Sequence, residues 1–135
     1  MVRTVAMLAA AVLVSLAPAA AAQDDWSAFA GAAGTYEGKA FSGDGLVPVT
    51  TRFTVGPGGR VEGSYAFTQG GTDYDGSLRE ARIVGARTLV FIWHDAWGYG
   101  TLEVVFAQDF GSFTGGWAEL EDSSGVHPWV GRRVP

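Results

Sequence analysis

From Gly34 onward the chain is punctuated at close, even intervals by turn-forming clusters: Ser42-Gly43-Asp44-Gly45, Gly56-Pro57-Gly58-Gly59, Gln69-Gly70-Gly71 and Glu121-Asp122-Ser123-Ser124-Gly125. The segments between them are short and rich in the β-branched and aromatic residues that favour extended backbone. Several set an aromatic beside a glycine, as in Gly34-Thr35-Tyr36, Gly63-Ser64-Tyr65, Gly98-Tyr99-Gly100, Gly115-Gly116-Trp117 and Trp129-Val130-Gly131. The spacing predicts eight strands, at about 34–41, 46–55, 59–68, 73–84, 87–94, 98–107, 112–120 and 126–134. Links this short join antiparallel neighbours, which makes the expected fold an all-β, up-and-down meander. A meander of that length removes its exposed edges by closing on itself. The prediction is therefore a small eight-stranded barrel, with a β-sandwich as the alternative. Gly38, Gly63, Gly76 and Gly115 fall inside strands, where glycine marks a bend or a close backbone approach.

Two strands differ in their patterning. Along 46–55, Val47, Val49, Thr51, Phe53 and Val55 share one face and Pro48, Thr50, Arg52 and Thr54 the other, so one side is wet. Thr88-Leu89-Val90-Phe91-Ile92-Trp93 is apolar on both faces. Such a strand is either central and covered on its outer side or part of a contact between subunits, so an oligomer through residues 88–93 is one expectation.

Ahead of the strands, Trp26, Phe29 and Ala30 lie at i, i+3 and i+4 behind Asp24 and Asp25. This predicts a short helix within 23–33, ended by Gly31 or Gly34. Its apolar face is too small to stand alone, and it is expected to cap one end of the β structure. Residues 1–22 have Arg3, an apolar run from Val5 to Leu16 and small residues through Ala20-Ala21-Ala22. That is the form of a secretory signal peptide, cleaved after Ala22. The run is shorter than the roughly 20 apolar residues of a membrane-spanning helix. Residues 34–135 are then expected to form a single barrel domain, secreted or periplasmic and free of the membrane once the signal is removed.

The chain has no cysteine, which excludes disulfides and thiolate metal sites. A net charge of −5 does not suit a nucleic-acid or anionic-membrane surface. Arg132-Arg133 reads as a pair of solvated strand-end charges. No catalytic or cofactor motif is present: Ser64 and Thr114 sit in no Gly-x-Ser-x-Gly elbow, and Gly56-Pro57-Gly58-Gly59 precedes no helix that would hold a phosphate. Asp73-x-Asp75-Gly76 opens like a calcium loop but lacks its later ligands. His94, Asp95 and His127 could hold a metal or act as a base with its orienting partner, although the two histidines are far apart in sequence.

The stretch Gly58-Gly59-Arg60-Val61-Glu62-Gly63-Ser64-Tyr65 is similar to the turn and Gly-Thr-Tyr strand of the avidin and streptavidin family, and the order of strands resembles, more loosely, other lipocalin-like barrels. The resemblance implies a ligand-holding barrel in which Tyr65, Trp93 and Trp117, the last following Phe113-Thr114-Gly115, line the pocket. The last strand, His127-Pro128-Trp129-Val130-Gly131, departs from that family in offering no Asp for the ligand.

An aromatic interior of this size is either a packed core or the lining of a cavity for a flat or apolar molecule. Glu103 bears on the choice. If it faces inward with Tyr99, Thr101 and Val105, a carboxylate lies among aromatics and needs a partner or a ligand. The leading expectation is an exported, non-enzymatic binding module for a small apolar or aromatic ligand or for a protein partner. The alternatives are a structural or interaction barrel with a filled core, and a small metal-dependent enzyme using His94, Asp95 and His127.

Overall fold

Each predicted turn among the described residues reverses the chain in the computed structural model, which describes residues 25–120 and 125–135; the segment read as a signal peptide and most of the predicted turn at 121–125 lie outside them. The strands are β1 (Gly34–Ser42), β2 (Gly45–Val55), β3 (Val61–Gln69), β4 (Thr72–Gly85), β5 (Thr88–Asp95), β6 (Gly98–Phe106), β7 (Ser112–Glu119) and β8 (His127–Arg133). Each pairs antiparallel with the next, and β8 returns to β1 to close the barrel.

Closure brings backbones together where only glycine fits. A Cβ at Gly38, on the β1–β8 seam, would lie 2.0 Å from the Val130 carbonyl oxygen. On the long strand β4 the bend is made differently. The register with β5 slips between Arg79 and Arg82, where Glu80 takes up φ 57°, and a bulge of this kind sharpens the local twist.

Alternation decides what lies inside. Strand β2 buries Val49, Thr51 and Phe53, the face its sequence pattern marks as apolar. On β5, Leu89, Phe91 and Trp93 are buried while Val90 and Ile92 lie half-buried on the outer surface. Their cross-strand neighbours are Arg82 and Glu103 for Val90, and Arg79 and Thr101 for Ile92.

One half of the interior is solid. Phe53 lies with its ring centre 5.2–5.6 Å from those of Tyr36, Phe91, Phe106 and Phe113, three of the four met edge to face. A plug closes this end: the segment Trp26–Ala32 buries Trp26, Phe29 and Ala32 against the barrel. It is a 3-10 helix rather than an α-helix, which corrects the predicted face. With three residues per turn the buried stripe runs i, i+3, i+6, so Ala32 is inside and Ala30 is exposed. Asp25 caps it by accepting the Ser27 backbone N–H at 3.1 Å.

Arg133 is not a solvated charge. Its Nη2 donates to the Gly31 and Ala33 carbonyls and to the Tyr36 hydroxyl (2.9 Å), and its guanidinium carbon lies 5.3 Å from the centre of the Tyr36 ring. The Tyr36 hydroxyl is within reach of the Ala32 and Phe110 carbonyls at 3.1 and 2.9 Å. One arginine on β8 thus ties the plug to the first strand and the last.

Candidate functional site

The opposite half of the barrel, toward the β1–β2, β3–β4, β5–β6 and β7–β8 turns, is hollow. A cavity of about 410 Å³ opens at that end, within the size range of small-molecule sites. Small side chains leave the space: Ala40 on β1, with Val47 and Val49 on β2, form one wall. Trp129 on β8 and Phe67 on β3 flank that wall as the cross-strand neighbours of Ala40 and Val49, with Tyr65 further along β3, and Trp93 on β5 and Trp117 on β7 complete the lining.

The three indoles are fixed by their own N–H groups. Trp93 Nε1 donates to the Ala118 carbonyl at 3.2 Å, Trp117 Nε1 to the Phe41 carbonyl at 3.0 Å, and Trp129 Nε1 to Thr51 Oγ1 at 3.0 Å. A buried indole needs such a partner, and here each partner belongs to the barrel wall. Trp93 and Trp117 meet edge to face at 5.4 Å, and Trp129 meets Tyr65 in the same way at 4.7 Å.

Tyr65 reaches across β4, where Gly76 makes room: a Cβ at Gly76 would lie 2.1 Å from the phenol Cζ. Its hydroxyl donates to Asp95 Oδ2 at 2.6 Å. The other carboxylate oxygen of Asp95 accepts the Trp97 backbone N–H at 2.8 Å, which shapes the β5–β6 turn. Burial first, then the Asp95 hydrogen bond and its charge, push the Tyr65 hydroxyl far above the ordinary tyrosine range.

This shift has a consequence for stability at high pH. Above about pH 10 an unfolded tyrosine loses its proton while the folded Tyr65 keeps it, so stability falls as pH rises, by at most about 1.4 kcal/mol per pH unit from this group. Below pH 10 the contribution is fully present. Melting temperatures followed from about pH 9 to pH 11 should therefore decline more steeply in the wild type than in Tyr65→Phe. Equal slopes would show that Tyr65 ionises as freely in the folded chain as in the unfolded one.

Of the residues singled out in the sequence, Tyr65, Trp93 and Trp117 all line the cavity. Glu103 does not. It is exposed on the outer face of β6, whose inward set is Leu102, Val104 and Phe106. That apolar alternate set was the available signal, because a strand turns its hydrophobic side to the core.

The metal trio does not assemble either. His94 and Asp95 are neighbours on a strand, so their side chains point to opposite faces: His94 is exposed outside, and Asp95 is inside on Tyr65. His127 lines the cavity, its ring stacked on Phe41 at 4.9 Å and tilted against Trp117 at 4.7 Å. Among the described residues no three His, Asp or Glu side chains gather as a metal-ligand set.

No family model, curated protein or solved structure matches this chain. Its likeness to avidin-type and lipocalin-like barrels holds at the level of an eight-stranded antiparallel barrel.

The sequence did not single out Trp129, Phe41, Gln69 or Glu119 as cavity residues, nor Trp97, which is 60% exposed in the β5–β6 turn and leans on Tyr74 at 5.4 Å. Trp129 was legible by alternation with inward Gly131. Phe41, Gln69, Trp97 and Glu119 belong to the mouth only because four separate strand ends converge there.

Proposed function

We propose that this protein is an exported, non-enzymatic barrel that binds one small, flat aromatic or apolar molecule in its hollow half. The observation that carries the reading is the cavity of about 410 Å³ walled by Tyr65, Trp93, Trp117 and Trp129. Rings held rigid by hydrogen bonds to the wall give apolar contact without an ordering cost on binding. The amino-terminal pattern of residues 1–22 supports export, and the solid plug end gives the cavity one way in.

Titration with the neutral dye N-phenyl-1-naphthylamine tests the reading. The dye should brighten on binding, and Trp93→Ala or Trp117→Ala should weaken it about tenfold, the loss expected when one aromatic contact of 1–1.5 kcal/mol is removed. No bound dye in the wild type, or unchanged affinity in both variants, would sink the cavity reading. Mass spectrometry of protein recovered outside the cytoplasm should give a chain beginning at Gln23; a chain retaining Met1 there would contradict cleavage.

A further inference from the structure

Most side-chain donors around the cavity are already engaged by the protein. The wall groups that could donate to an anion are turned elsewhere. The indole N–H groups of Trp93, Trp117 and Trp129 are bound to protein oxygens. The Tyr65 hydroxyl donates to Asp95, and the Ser42 hydroxyl donates to Gln69 Oε1. Among the described residues, side-chain donors left to the cavity are confined to the Gln69 amide and the ring nitrogens of Trp97 and His127.

Acceptors are not so confined. Two carboxylates line the space, Asp95 at the end of β5, which keeps its charge while accepting from Tyr65 and Trp97, and Glu119 at the end of β7, and no lysine or arginine is among the lining residues. Asp95 follows Trp93 by two positions on the inner face, and Glu119 follows Trp117 by two and stands exposed at the mouth, so the pair of acids brackets the entrance beside the two edge-to-face tryptophans. With their N–H groups spent on the wall, the indoles have only π surface and ring edges to offer a ligand. Electron-rich ring faces beside carboxylates attract positive charge, and desolvation strengthens that attraction.

We infer that the cavity selects an organic cation, an aromatic or alkyl ammonium whose charge sits between the Trp93–Trp117 pair and the carboxylates of Asp95 and Glu119. This deepens the ligand-binding reading and rests on it. A carboxylate-bearing or otherwise anionic ligand is disfavoured twice, by repulsion from two acids and by the scarcity of donors. Neutral rings enter by apolar contact but gain nothing from the charge.

Three probes of one shape decide the matter in calorimetric titrations at pH 7.5 on the folded protein: N-methylquinolinium, quinoline and quinoline-4-carboxylate. The expected order is quinolinium tightest, at least about tenfold over quinoline, with the carboxylate weakest. Asp95→Asn and Glu119→Gln should each narrow the cation-over-neutral ratio, and the double variant should abolish it. Quinoline binding as tightly as quinolinium, a preference for the carboxylate, or a ratio unchanged in the double variant overturns the charge inference while a ligand-binding barrel stands. Absence of binding by all three overturns both.

Discussion

Replacing Phe53 by alanine is expected to destabilise the barrel by about 3–5 kcal/mol, the usual cost of deleting a buried phenylalanine. Phe53 is 1% exposed and is the ring that Tyr36, Phe91, Phe106 and Phe113 all pack against. Those four come from β1, β5, β6 and β7, so the side chain joins opposite walls of the barrel as well as filling it. The hole left behind is surrounded by strands already paired on both edges, which limits collapse and puts the cost toward the upper end of the range. For a domain of this size the melting temperature should fall by at least about 12 °C. A loss of less than about 1 kcal/mol in denaturant unfolding would mean that this half of the interior is loosely filled, contrary to the packing described.

The second large effect is expected at Arg133. Arg133→Met keeps much of the side-chain volume and removes every donor, so it isolates the hydrogen bonds to Gly31, Ala33 and Tyr36. Bonds from a charged donor are worth about 1.5–3 kcal/mol each, but the two carbonyls at the edge can turn to water, which brings the expected net loss to about 2–3 kcal/mol. The location of the loss is as telling as its size. Hydrogen exchange in Trp26–Ala32 should rise well before exchange in β5 and β6, because Arg133 supplies the plug's hydrogen bonds at Gly31 and Ala33, whereas β5 and β6 are held by their own ladders. Uniform loosening of all strands, or no change in the plug, would show that Arg133 does not hold it.

Much of the architecture was legible because it is written locally. Turn clusters containing Gly43, Gly45, Gly58, Gly70 and Gly71 set where strands stop, and four of these, Gly43, Gly58, Gly70 and Gly71, stand at positive φ. Alternation in 46–55 marked Val49, Thr51 and Phe53 as the inner set, and the same rule applied to Leu102, Val104 and Phe106 would have turned Glu103 outward. The short helix was visible as a cluster of Trp26 and Phe29. Its 3-10 winding was not, because the choice between Ala30 and Ala32 as the third buried residue depends on the barrel surface it covers.

The site was legible in part for the same reason. Tyr65, Trp93 and Trp117 are large aromatics on inner faces, and an alternating pattern can place a residue on a face. Pairing Asp95 with Tyr65 could not be read, since the two are 30 residues apart and meet only because β3 and β5 flank the glycine at 76. Arg133 illustrates the limit most sharply: at a strand end next to Arg132 it looks like any solvated charge, yet its partners are about a hundred residues away.

By itself, then, the sequence determined the number of strands, their turns and the face each presents to the interior, all properties set by neighbours within a few positions. Tertiary structure alone decided that one half of that interior is solid and the other hollow. The level at which a side chain lands inside a closed barrel is the sum of every strand's register around the ring, including the slip at Glu80 on β4. That sum brings Phe53, Phe91, Phe106 and Phe113 together at one end and puts the small Ala40, Val47 and Val49 at the level of the tryptophans at the other.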